Sequence, residues 1–186
     1  MRTFGMYAGI AGLELSAAAA GCHVVGFCEQ DSYCQGILRR HYPGVPIWEH
    51  DTQVTRASLE EAGILPIDLV CGGPPCQPTS AAGKRAGTGD PRWRWGEFLR
   101  VCDELRPRWI TAENPAGLLS LHGGAAFAGI LRQLDEMGYR AGWGCYGADA
   151  CGAPHRRDRV FLVARRRDAG AGSAGVADAA REREAG

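Results

Sequence analysis

The chain has 186 residues, 45% of them hydrophobic, and its 21 Lys+Arg balance 21 Asp+Glu. That length suits one domain able to bury roughly 70% of its unfolded surface, so a core forms without disulfide staples. Balanced charge with abundant apolar residues excludes a mostly disordered chain, and no apolar run approaches the ~18 residues of a membrane helix.

In chain order, RTFGMY reads as a first strand, followed by a Gly-rich turn and the Ala-rich helix LELSAAAAG, which Gly21 caps. HVVGFC is a second strand, and DSYCQGILRRHY a second helix with Asp31 at its N-cap. A short extended piece at Ile47–Trp48 precedes a helix around ASLEEAG. IDLVC is an uninterrupted apolar run of the kind found in central parallel strands. A polar loop without periodicity runs from Gly72 to about Trp95. GEFLRVCDEL then returns to helical spacing, RWITAEN is a strand, AFAGILRQLDEMG is a helix ending at Gly138, and RAGWGCY and RVFLVARR are two closing strands. Such alternation predicts an α/β fold with a parallel sheet and helices on both faces. Residues 168–186 hold no aromatic and hardly a branched apolar side chain, so a flexible tail is expected after a domain of residues 1–167. The opening MRTFGMYAGIAG carries one Arg and no cleavable apolar segment, which points to a cytoplasmic protein.

The turn YAGIAG, between a strand and a helix, has Gly9 and Gly12 where a backbone can approach a ligand closely at a helix N-terminus. Glu29, at the end of the second strand and 20 positions after Gly9, completes a Rossmann-like layout in which an acid grips ribose hydroxyls. A purely structural turn is the alternative. Asp51, after the third strand, suits an adenine amino group or the cap of the following helix equally well. CGGPPCQPTS leaves a strand at its carboxyl end, where open α/β sheets bind ligands, and its prolines stiffen the loop that presents Cys76. Cys76 is therefore a candidate nucleophile, once activated as a thiolate. The other cysteines, at 22, 28, 34, 71, 102, 145 and 151, form no Cys-x-x-Cys pair; they read as small buried hydrophobes, and no metal site is implied. Charge is uneven: residues 1–70 are net acidic and residues 71–186 net basic, with Arg clusters at 92–94, 106–108, 156–159 and 165–167 compatible with phosphate contacts.

GGPPCQPTS resembles the catalytic loop of the cytosine-5 DNA methyltransferases, which use S-adenosylmethionine, and the family's motif order continues from about Thr3 to Ala164. The resemblance implies a Rossmann-like methyltransferase fold with a mostly parallel sheet. It implies that Tyr7, Ala8, Gly9, Ile10 and Gly12 cradle the methionine end of the cofactor, with Ala11 replacing a usual glycine and Gly5 a usual Asp. Glu29 then binds the ribose, Gln30 lies beside the adenine, Asp51 with Thr52 meets the adenine amino group, and Gly73, Pro75 and Trp95 complete the cofactor set. By the same resemblance Cys76 attacks carbon 6 of cytosine. Glu113, in AENP, hydrogen-bonds and protonates ring nitrogen 3, which requires a protonated acid buried near the base. Arg159 contacts the base carbonyl, Arg157 supports the catalytic loop, and His155 stands at a usual Gln. Gln77, Ser80, Lys84, Arg92 and His155 are the implied nucleic-acid contacts, on a target base flipped out of the duplex. The family continues with a target recognition region, which the residues after Arg167 cannot encode. The expected partner is therefore DNA, and the chain reads either as a minimal enzyme with relaxed specificity or as one subunit of a split enzyme whose separate subunit carries that region, with restriction-modification as the associated setting. A non-catalytic subunit or remnant, and a methyltransferase acting on tRNA cytosine, are the alternatives.

Overall fold

The computed structural model describes residues 1–75 and 93–168. Cys76, Gln77, Ser80, Lys84 and Arg92 lie outside the described residues, as does all but Asp168 of the expected tail.

The apolar runs with β-branched and aromatic side chains become strands: β1 (Arg2–Met6), β2 (His23–Cys28), β3 (Ile47–Trp48), β4 (Leu69–Gly72), β5 (Trp109–Pro115), β6 (Tyr139–Tyr146) and β7 (Arg159–Arg166). Between them stand α1 (Gly12–Ala19), α2 (Ser32–His41), α3 (Arg56–Glu61), α4 (Trp95–Leu105) and α5 (Ala125–Glu136). Local chemistry sets their limits. Asp31 accepts from the Cys34 N–H at 2.9 Å and opens α2. Gly21, at φ +81°, closes α1 in a Schellman motif, with Cys22 N–H donating to Ala17 O and Gly21 N–H to Ala18 O. α4 stops where Arg106 turns left-handed ahead of Pro107, and Gly138, at φ +85°, turns the chain from α5 into β6.

The strands form one sheet in the order β3-β2-β1-β4-β5-β7-β6. β1 to β5 pair in parallel, whereas β7 runs antiparallel to both β5 and β6. The sheet is thus mostly parallel, with one reversed strand inserted near its edge. Side-chain alternation splits the core in two. Phe4, Met6, Val70, Ile110, Ala112, Val160, Leu162 and Ala164 meet Phe98, Val101 and Leu105 of α4 and Phe127, Ile130 and Leu134 of α5. Phe27 packs instead with Ala11 and Leu38, beside α1 and α2. Helices therefore lie on both faces. Cys22, Cys28, Cys71 and Cys102 are buried as expected, but Cys145 and Cys151 are exposed, because the β6 end and the turn after it lie outside both clusters. No helix among the described residues is long and apolar enough to cross a membrane.

Candidate cofactor cleft and active site

The chain leaves β1 toward β2 on one side and β4 toward β5 on the other, so the order reverses between β1 and β4. In open α/β sheets a crevice opens at the carboxyl ends of strands on either side of such a reversal. Here it is a cleft of about 620 Å³ lined by Tyr7, Cys28, Glu29, Gln30, Glu49, His50, Asp51, Thr52, Gly73, Pro75 and Arg94. That volume accommodates a nucleoside-sized molecule.

The turn after β1 is tightly wound: Tyr7, Gly9 and Ala11 all take positive φ, and the Ala11 N–H closes onto Ala8 O at 2.8 Å. Ala11 thus holds a left-handed conformation that suits the glycine usual there. Glu29 is fixed by backbone donors, with the Gly9 N–H on Oε2 at 2.7 Å and the Asp31 N–H on Oε1 at 2.8 Å. Each carboxylate oxygen keeps a further lone pair with which to accept a hydroxyl.

Asp51 follows β3 and is buried, 8% exposed. It opens a short 3₁₀ turn as its first residue, and His50 occupies the cap position, so the capping alternative falls. Tyr7 OH donates to Asp51 Oδ2 at 2.7 Å, Arg94 Nε donates to the same oxygen at 2.7 Å, and Arg94 Nη2 pairs with Oδ1. Burial opposes ionisation of Asp51, but the hydrogen bonds from Arg94 and Tyr7 outweigh it and hold the carboxyl below its ordinary value. The Tyr7 phenol is pushed up by burial and by its acceptor, and burial raises the Cys28 thiol to about 12. A second α4 arginine, Arg100, steadies this segment by donating to the carbonyls of Asp51 and Val54 at 2.9 and 3.0 Å.

Beyond β4 the chain enters Gly73-Pro74-Pro75, and Asn114 Nδ2 ties this loop base to β5 by donating to Pro74 O at 3.1 Å. Glu113 lies alongside, close enough that a Cβ on Gly73 would stand 3.4 Å from its Oε2. Arg159 reaches across the antiparallel β5–β7 pair, its Nε 2.5 Å from Glu113 Oε1. Glu113 is 28% exposed and Arg159 21%, so Glu113 is a partly exposed, ion-paired acid in this structure and not a deeply buried one.

Of the expected cofactor residues, Tyr7, Glu29, Gln30, Asp51, Thr52, Gly73 and Pro75 line the cleft. Ala8, Gly9, Ile10 and Gly12 form the turn at its edge, with Ile10 and Gly12 exposed. Trp95 does not line it: its ring lies in the core edge-on to Phe98, at 5.6 Å between centroids. The first turn of α4 directs position 95 inward and Arg94 toward the cleft. Arg157 and His155 are exposed, and no contact brings them to Glu113. Arg94, His50 and Glu49 were not foreseen; the only signal was the Arg cluster at 92–94, read as phosphate-directed. The later clusters also serve internal pairing, Arg106 with Asp103, Arg166 with Asp168 and Arg167 with Asp135.

A family model of the C-5 cytosine-specific DNA methylases matches residues 1–183. The chain belongs to this family. Among the methylases, the type II methyltransferase M.AquIA of Picosynechococcus is 36% identical over 174 residues, 87% of this chain and 70% of the relative. M2.BsuMI of Bacillus subtilis is 34% identical over 173 residues, 88% of this chain but 42% of the relative. The chain thus spans less than half the length of M2.BsuMI, and likewise of M.FnuDI of Fusobacterium nucleatum, of which it covers 48%. Among solved structures, a DNMT2 variant of Spodoptera frugiperda superposes with a TM-score of 0.71 at 20% identity, over 91% of this chain and 51% of that one. Schizosaccharomyces pombe Dnmt2 gives 0.67 at 21% identity, over 89% and 51%. At those identities the likeness is one of fold.

Proposed function

We propose that this methylase chain binds S-adenosylmethionine in the cleft between β1, β2, β3 and β4 and methylates carbon 5 of a flipped-out DNA cytosine through Cys76. The observation that carries this reading is the meeting, at one sheet edge, of the Glu113–Arg159 pair with the Gly73-Pro74-Pro75 base of the loop leading to Cys76. The donor set fits the cofactor: Glu29 offers two backbone-anchored oxygens to a ribose diol, and Gln30, Asp51 and Thr52 offer polar groups to an adenine. When bound, the cofactor supplies an electrophilic methyl group.

The chain's own residues do the rest. The Cys76 thiolate adds to carbon 6 of the ring, which makes carbon 5 nucleophilic. Glu113, taking a proton from solvent as the entering base separates it from Arg159, holds ring nitrogen 3 and delivers that proton there, while Arg159 takes the base carbonyl and the charge that develops on it. Once carbon 5 carries its methyl group, the carbon 5 proton leaves to solvent and the Cys76 thiolate is expelled from carbon 6, which restores the ring. For this Glu113 must loosen its contact with Arg159 as the base enters between them. Target recognition is assigned to polypeptide outside residues 1–186, and exposed aromatic rings on the sheet, Tyr146 against Phe161 at 6.2 Å between centroids, offer it a surface to pack on.

The test is transfer of tritiated methyl from S-adenosylmethionine to mixed-sequence duplex DNA, with tRNA and Cys76→Ala as comparisons. Label at cytosine carbon 5 of DNA, lost in the variant, is the expected result. Label that survives Cys76→Ala refutes the mechanism, and label confined to tRNA replaces the substrate. Cofactor binding without transfer assigns the chain to a partner-dependent assembly.

A further inference from the structure

Asp51 is the acid expected to receive the adenine amino group, yet most of its acceptor sites are already taken. A carboxylate offers about four lone pairs. Tyr7 OH and Arg94 Nε both donate to Oδ2 and Arg94 Nη2 pairs with Oδ1, which leaves one position on Oδ1. The two guanidinium contacts form the fork that makes an arginine–carboxylate pair both strong and directional. Arg94 is also anchored at its backbone, where its carbonyl opens α4 by accepting from Phe98 N–H at 3.0 Å. It is the only Lys or Arg lining the cleft among the described residues, against Glu29, Glu49 and Asp51.

We propose that Arg94 sets the cleft's affinity for its adenosyl cofactor by competing with the adenine amino group for the Asp51 carboxylate. The inference rests on the reading of the cleft as an S-adenosylmethionine site. An incoming amino group is left one position, on Oδ1 beside the Nη2 arm of the guanidinium, and loosening that arm to share the oxygen subtracts from the binding energy. The ion pair thus keeps a buried carboxylate satisfied in the free protein, and it makes the cofactor bind more weakly than the bare pocket would. The competition is local to the adenine, so it acts equally on every ligand that carries one.

This separates the idea from a general charge effect. Removing a cation from an acidic cleft favours the sulfonium of S-adenosylmethionine over the neutral sulfur of S-adenosylhomocysteine. Removing a competitor for Asp51 favours both by the same factor. Isothermal titration of the full chain with each ligand is the experiment, on Arg94→Gln, Asp51→Asn and the double variant. Arg94→Gln is expected to tighten both ligands about tenfold, the factor that corresponds to about half of one charge-assisted hydrogen bond no longer broken. Asp51→Asn is expected to weaken both, and adding Arg94→Gln to it is expected to change nothing further.

Unchanged or weaker binding by Arg94→Gln overturns the proposal while leaving the cofactor reading intact, provided the unaltered chain binds. Tightening confined to S-adenosylmethionine also overturns it, in favour of the charge effect. Failure of the folded, unaltered chain and of Arg94→Gln to bind either ligand refutes the competition together with the cofactor reading. Arg94→Lys keeps the charge without the fork and is expected to tighten both ligands less than Arg94→Gln. It serves as the deciding variant should Gln disturb the start of α4.

Discussion

Glu14, on the inner side of α1, is 1% exposed, and neither of its carboxyl oxygens has a hydrogen-bond partner. Its carboxyl fills the space above Gly5, where a Cβ would lie 2.0 Å from Oε1. Burial raises its pKa from an ordinary 4.5 to about 7. Below pH 4.5 the folded and unfolded chains both carry the proton, and the group is neutral toward stability. Between pH 4.5 and 7 the folded chain keeps a proton that the unfolded chain has lost, so stability falls as pH rises. Above pH 7 the loss levels off at about 3 kcal/mol, the free energy that corresponds to lifting the carboxyl from 4.5 to about 7. Glu14→Gln removes the titration while keeping the shape. Urea unfolding at pH 5, 6, 7 and 8 is therefore expected to show the variant gaining on the unaltered chain by about 2.5 kcal/mol across that range, the rest of the loss being already present at pH 5. Equal pH slopes for the two proteins would show that Glu14 finds water or a partner, and the reasoning would fail.

Gly5→Ala places a methyl group against the Glu14 carboxyl and is expected to cost about 1–3 kcal/mol of stability. Thermal unfolding of Gly5→Ala combined with Glu14→Ala should then show less loss than the two single changes together. Glu113→Gln is expected to lower methyl transfer by about a hundredfold or more, the worth of a general acid. Its affinity for S-adenosylhomocysteine is expected to stay unchanged, because Glu113 stands outside the cleft lining. Parallel loss of binding would place Glu113 with the cofactor.

Most of the fold was legible because local rules decide most of it. The apolar runs of β1, β2 and β4 have no alternative reading, and Asp31, Gly21 and Gly138 mark helix ends by chemistry that acts within a few residues. Glu29 and Asp51 were legible as acids just beyond strand ends. The antiparallel place of β7 between β5 and β6 was not, because it depends on α5 carrying the chain past one strand width before β6 begins. Nor was the pairing of Arg94 with Asp51, which joins residues 43 positions apart. Position 95 shows the same limit. The resemblance places Trp95 in the cofactor set, and only the direction of the first α4 turn sends that ring into the core.

The two halves of the site are built on different kinds of pairing. The cleft rests on the parallel set β3-β2-β1, whose strand ends deliver Asp51, Glu29 and Tyr7 side by side. The Glu113–Arg159 pair rests on the antiparallel contact of β5 with β7, which lets an acid and a base from opposite chain directions meet. β4 lies between the two sets. Its exit contributes Gly73 and Pro75 to the cleft, while Gly73 also lies against Glu113 and Pro74 accepts from Asn114. The residues just before Cys76 are thus packed against both halves at once. A Cβ at position 73 would stand in ordinary van der Waals contact with Glu113, 3.4 Å from its Oε2 and on the cofactor side, so the loop base and the acid touch without strain.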